Sequence, residues 1–166
     1  MFKSSLQVSF IKYCEDNKFE KNSNQLKIIK LLDEFVNYKK SFINSFFKPK
    51  KKLCFYLYGS VGVGKTMILD YFYNSLKITK KKLHFNEFMI NFHDYRHQNK
   101  KENKDNSISS FVKKLKDNYE LIYLDEFQVT NIVDAMILGK LFDTMFKENV
   151  KVIISTNIKP NDLYKD

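Results

Sequence analysis

The apolar residues of the chain fall into two kinds of pattern. Continuous runs occur at "LCFYLY" (residues 53–58), "LIYL" (121–124) and "VKVIIS" (150–155), with a weaker one at "KLHF" around His84. Unbroken apolar character over so few residues suits a strand covered on both faces, as in a parallel sheet. Between the runs the spacing becomes helical. Leu6, Phe10, Tyr13 and Cys14 share one helical face, and Ile28, Leu32, Phe35 and Val36 share another. "MILDYFYNSL" and the stripe Ile108, Phe111, Val112, Leu115 repeat the pattern, and residues 132–146 read as a long helix offering Met136, Leu141 and Met145 to a core. "KPKKK" (48–52) ends the second helix, because Pro49 disfavours helix in the residue before it. "HQNKKENKDNS" (97–107) reads as one exposed loop. Strand and helix alternate, which predicts an α/β layered parallel sheet with right-handed crossovers, preceded by a pair of helices over residues 1–48.

A length of 166 residues, with 43% hydrophobic and 16% aromatic content, fits a single domain with its own core. No apolar run approaches the roughly 20 residues of a membrane span, and polar residues interrupt the N-terminus where a signal peptide would be apolar. A soluble, cytoplasmic protein is the expectation. Cys14 and Cys54 show no Cys-x-x-Cys spacing and read as two buried free thiols. The net charge of +10 would suit a nucleic-acid partner, but Arg96 is the only arginine among 29 basic residues. Lysine is a solvated point charge without the bidentate fork that phosphate and base recognition favour, so the charge reads as solvated surface.

Residues 59–66, "GSVGVGKT", follow an apolar run and open a helical one. Gly59, Gly64, Lys65 and Thr66 satisfy G-x-x-x-x-G-K-[ST], and three of the four glycines in the chain, Gly59, Gly62 and Gly64, lie here. Glycines allow positive φ and close backbone approach, so that the N–H groups of the loop, including Ser60, Val61 and Val63, can turn toward phosphates. The following helix adds its N-terminal donors. Lys65 has the length to reach the β and γ phosphates of ATP, and the Thr66 hydroxyl can ligate Mg²⁺. Chance places the bare pattern in about one unrelated chain of this length in a hundred, and its position between strand and helix makes that reading weaker still.

"LIYLDEF" ends an apolar run in Asp125 and Glu126, at the carboxyl end of a predicted strand, where ligands of parallel sheets bind. Asp125 is expected to hold Mg²⁺ through water, and Glu126 to orient and deprotonate an attacking water. Acids that merely favour a helix N-terminus are the plainer alternative. After "VKVIIS", Asn157 could hydrogen-bond that water or the γ phosphate, or could simply form a turn before "KP". Gln128 is expected to support the loop after Glu126. His93 and His97, four apart, lack a third ligand in pattern and read as ordinary histidines.

"YLYGSVGVGKTMILDYFY", "LHFNEFM", "YLDEFQVTNIVDAMILGKLF" and "STNIKPNDLYKD" together resemble the ZapE-like, mitochondrial Afg-type ATPase family, from about Leu26 onward. The resemblance implies a P-loop NTPase core of the AAA+ type over residues 53–166. It further implies ATP hydrolysis coupled to work on protein partners, such as cell-division or membrane-associated proteins, with assembly into a homo-oligomer. A peripheral place at the inner membrane is compatible with it. Asn131 stands where the family usually has Asp, Lys140 where it has Arg, and Asn86 where His is frequent. Family members also continue past "DLYKD" into a segment carrying an arginine that reaches a neighbouring subunit, then a helical lid. The chain is accordingly expected to be truncated at its C-terminus, with hydrolysis impaired. Two alternatives are a helicase-loader-like ATPase using its lysines on DNA and a non-functional product of a split gene.

Overall fold

Four parallel strands, β1 (Cys54–Tyr58), β2 (Lys80–His84), β3 (Leu121–Asp125) and β4 (Lys151–Thr156), pair in the order β1-β4-β3-β2. The computed structural model describes residues 5–37, 52–99 and 104–163, without the side chains of 104 and 105. Six helices accompany the strands among these residues: α1 (Ser5–Asp16), α2 (Ser23–Val36), α3 (Lys65–Ser75), α4 (Phe85–Gln98), α5 (Lys104–Asn118) and α6 (Ile132–Lys147). The chain divides into two compact units, one of residues 1–52 and 66–76, the other of residues 53–65 and 77–166.

In the sheet unit the two-residue period of a strand sorts side chains between faces. Leu83, Ile122, Leu124, Val152 and Ile154 turn to one face and form a single core with α4, α5 and α6. Helix residues at three- and four-residue spacing complete it: Phe88 and Phe92 of α4, Phe111 and Val112 of α5, and Leu138, Leu141 and Met145 of α6. Phe92 and Phe111 meet edge to face with centroids 5.2 Å apart.

The helix ends have local causes. Asn131 caps α6, its side chain accepting from the Val133 N–H at 2.8 Å, with Asp134 in the first turn and Lys147 in the last. At the other end Asn149 takes φ 60°, Val150 N–H reaches Met145 O at 2.9 Å and Asn149 N–H reaches Phe146 O at 3.1 Å. That pair of bonds is a Schellman ending built without glycine.

In the helical unit α1 buries Phe10 and Cys14, α2 buries Ile29, Leu32 and Phe35, and α3 buries Ile68, Leu69 and Phe72. Lys18 (φ 57°) ends α1 with the same Schellman bonds, Phe19 N–H to Cys14 O at 2.9 Å and Lys18 N–H to Glu15 O at 3.1 Å. Tyr71 packs against Phe10 and Tyr13 at 4.9 and 4.8 Å. Desolvation by burial pushes the Cys14 thiol above its ordinary range, with Lys21 opposing.

The parallel sheet and its flanking helices agree with the sequence reading, and four details differ. β1 lies at the sheet edge among the described residues, so its middle is half-buried and Cys54 and Tyr58 are exposed. Cys54 is therefore no buried thiol. Met136 is 75% exposed, because it lies about 200° around α6 from Leu138. The described part of the polar stretch 97–107 is mostly helix: α4 continues to Gln98, α5 starts at Lys104, and Ser107 is buried. Its polarity belongs in part to exposed helix positions such as His97, Gln98 and Asn106, and residues 100–103 lie outside the described residues. Residues 48–51 of the expected turn lie outside the described residues.

Phe92→Ala is expected to lower the unfolding free energy by about 3–5 kcal/mol in urea denaturation followed by circular dichroism. Met136→Ala should stay within about 0.5 kcal/mol. Asn131→Ala should cost about 1 kcal/mol through the lost cap, whereas Asn131→Asp should be neutral or slightly stabilising. Equal losses for Ala and Asp at 131 would refute the capping argument.

Candidate functional site

The pairing of β1 with β4 sets Tyr58 beside Thr156, so the residues that follow, Gly59 and Asn157, leave the sheet side by side. Lys65 closes this corner. Its ammonium donates to Gly59 O, Ser60 O and Asn157 Oδ1, each at 2.8 Å, using all three of its protons. Gly62 and Gly64 both have φ 83°. A Cβ at Gly62 would meet nothing within 4 Å, so the need for glycine there is conformational. Val61 and Val63 are 81% and 53% exposed and belong to no core. Thr66 is the second residue of α3. A turn of backbone closed by a lysine and running into a helix start is a donor set for an anion.

β4 continues into a clamp. Thr156 Oγ1 donates to Phe127 O at 2.6 Å and accepts from Ile158 N–H at 3.0 Å. Phe127 N–H donates to Ser155 O at 2.9 Å, and Tyr56 OH donates to Ile158 O at 2.9 Å. These bonds fix both the loop after Glu126 and the loop after Asn157. Gln128, expected to support the first of them, is exposed.

The acidic end of β3 is held from both sides. Asp125 is 5% exposed. Its Oδ1 accepts from the Ser155 hydroxyl and, at 3.1 Å, from the Glu126 N–H. Its Oδ2 lies 3.5 Å from Lys82 Nζ. The β2–β3 register sets His84 opposite Asp125 and Lys82 opposite Tyr123, so alternation brings all four side chains to one face. Glu126 takes φ 55°, in the left-handed region that a glutamate seldom adopts, and leaves its side chain 79% exposed. His84 Nδ1 lies 3.6 Å from Glu126 Oε2. A buried carboxylate such as that of Asp125 is an oxygen donor of the kind a hard divalent cation takes.

Two groups of expected residues are thus joined by direct contacts: Gly59, Ser60, Lys65 and Asn157 in one, Asp125 and Glu126 in the other. Lys82 and the neighbour contacts of His84 and Ser155 were not legible, because they follow from strand register. "KKKLH" contains three lysines in a row, and nothing but pairing with "LIYLD" places Lys82 beside Asp125. His93 Nε2 lies 3.0 Å from Asp134 Oδ1, joining α4 to α6. Among the described residues no group of three His, Cys, Asp or Glu could hold a metal.

Residues 7–166 match the protein-family model described as AFG1-like ATPase, so the likeness includes most of α1 and starts earlier than Leu26. Lactation elevated protein 1 homolog B of Danio rerio is 38% identical over 129 residues, covering 72% of this chain and 26% of its own length. Cell division protein ZapE of Escherichia coli (strain K12) is 33% identical over 112 residues, 67% of this chain and 29% of ZapE. The chain thus spans little more than a quarter of the length of these relatives. AMPPCP-bound DnaA from Aquifex aeolicus matches with a TM-score of 0.60 at 17% identity, over 89% of this chain and 43% of that one. This last likeness concerns the fold alone. The match along nearly the whole sequence, on a fold that carries the phosphate loop and the acidic strand end in place, means that the chain belongs to the AFG1-like ATPase family.

Proposed function

We propose that the chain binds ATP with Mg²⁺ and hydrolyses it to ADP and phosphate. The observation that carries this reading is the position of Lys65, whose ammonium sits inside the glycine loop and reaches Asn157 at 2.8 Å. Phosphate oxygens offer that ammonium charged acceptors in place of the neutral carbonyls of Gly59 and Ser60, and charge-assisted bonds are the stronger ones. Gly59, Ser60, Val61, Gly62, Val63 and Gly64 supply the backbone around the phosphates, and Asn157 keeps its contact with the lysine while its amide N–H groups turn to the γ phosphate or the attacking water. Thr66 and Asp125 would hold Mg²⁺, which when bound neutralises charge on the transferred phosphoryl group.

Glu126 is the proposed base. Its carboxylate is exposed, unlike that of Asp125, so water can reach it, and Asp125 has its own lone pairs engaged by Ser155 and the Glu126 N–H. The two adjacent acids therefore suit different tasks. We further propose that hydrolysis is coupled to work on protein partners, through assembly with further copies, in keeping with the cell-division role in the name of ZapE. A lysine surface with one arginine supports protein partners over nucleic acid. No helix among the described residues is long and apolar enough to cross a membrane, and we place the chain in the cytoplasm.

Calorimetry of Lys65→Ala with Mg²⁺-ADP should show affinity lowered by about ten- to a hundredfold, the value of one charge-assisted contact. Equal affinity in wild type and variant would remove the phosphate-loop reading. Glu126→Gln should bind nucleotide within a few-fold of wild type and lose about 10²–10⁴ of any turnover measured by phosphate release. Undiminished turnover would assign the base elsewhere.

A further inference from the structure

We propose that Lys82 is the resident counter-cation of Asp125, holding the carboxylate ready and, by its charge, limiting how tightly a divalent ion is bound there. The inference rests on the reading that Asp125 helps to hold Mg²⁺. It starts from burial. At 5% exposure Asp125 has lost most of its water, and an ionised carboxylate so placed needs compensation from hydrogen bonds and opposite charge. Its two oxygens divide that compensation. Oδ1 takes neutral donors, the Ser155 hydroxyl and the Glu126 N–H. Oδ2 faces the Lys82 ammonium at 3.5 Å.

Lys82 is fitted to this place by register and by its neighbour. Of the three consecutive lysines, Lys81 belongs to the opposite face of β2, and Lys80 lies opposite Leu121, a full side-chain repeat further from Asp125. Lys82 Nζ also lies 5.0 Å from the centre of the Tyr123 ring, an attraction that holds the ammonium over the sheet. The lysine side chain keeps 30% of its exposure against 8% for that of Asp125, so its head can turn to water while the carboxylate stays. A divalent ion approaching Oδ2 meets a positive charge already there. The two cations repel across a few ångströms in a partly dry setting, where effective screening is much weaker than in bulk water. Lys82 must then swing outward as the ion is held, and the work of moving it reduces the net affinity. Lys82 is a positioning residue: it touches Asp125 and acts through it.

The test is Mn²⁺ binding, read by the loss of the free-ion paramagnetic resonance signal, on the whole chain with saturating ADP. Lys82→Met keeps an unbranched stem over Tyr123 and removes the charge; it is expected to bind Mn²⁺ about tenfold more tightly than wild type. Without metal it should unfold at a lower temperature than wild type, and its metal-induced gain in midpoint should be larger. Lys82→Arg, which keeps the charge, should stay within about threefold of wild type. Unchanged or weaker Mn²⁺ binding by Lys82→Met overturns the proposal, and if that variant does not fold, Lys82→Gln decides by the same criterion. Asp125→Asn separates the two levels. Loss of Mn²⁺ affinity in Asp125→Asn alongside an unchanged Lys82→Met would sink the role of Lys82 alone. Unchanged Mn²⁺ affinity in Asp125→Asn would remove Asp125 from the metal and the proposal with it.

Discussion

β3 is buried at all five positions and hydrogen-bonded on both edges, and this enclosure governs what stands around it. A strand in the middle of a sheet can present a charged side chain only where its neighbours supply partners. The carboxylate of Asp125 comes at the last position, where Ser155 of β4 and Lys82 of β2 flank it. Both partners are set by register. A slip of one residue in β2 would carry Lys82 and His84 to the face filled by Phe88 and Phe92 and would bring Leu83 to the acid. The apolar core of α4, α5 and α6 therefore protects the polar arrangement on the opposite side of the same strands, since Leu83, Leu124 and Ile154 cannot leave that core without losing their burial.

The two halves of the candidate site share an internal economy of charge. The ammonium of Lys65 is satisfied by two carbonyls and an amide oxygen, and the carboxylate of Asp125 by an ammonium, a hydroxyl and an N–H. Neither group waits as a bare ion. On the proposed function, binding a metal–nucleotide pair amounts to an exchange of partners, in which neutral acceptors give way to phosphate oxygens at one end and one cation replaces another at the other end. Such an exchange keeps the geometry defined throughout, because each group is held before and after.

Much of this was legible in the amino-acid pattern, for definite reasons. The strand runs 121–124 and 150–155 announce themselves because β3 is buried at every position and β4 at all but Lys151, so apolar residues dominate both runs. The stripe Ile108, Phe111, Val112 announces α5 because one face alone meets the core. β1 looked like its neighbours in sequence although its position at the sheet edge leaves it half-covered; an aromatic strand such as "CFYLY" is apolar in composition whatever its surroundings. The helix end at Lys18 carries neither glycine nor asparagine and so gave no stop signal, whereas Asn149 is a residue that the left-handed position accepts. Phosphate-loop chemistry is local in the chain and can be read from eight consecutive residues. The surroundings of Asp125 are assembled from three strands far apart in sequence, and no local pattern encodes them.

The backbone at Glu126 has a consequence for how variants of this chain sort. With φ at 55°, the residue sits where glycine or asparagine is at ease and a branched or long side chain is strained by roughly 1–2 kcal/mol. The same turn directs Phe127 N–H to Ser155 O and throws the Glu126 carboxylate outward, where the proposed base must be. Conformational ease and chemistry thus favour different residues at one position. A library selected for heat resistance alone would drift toward glycine at 126 and gather sturdier proteins without the carboxylate, while selection for turnover would hold the strained glutamate in place.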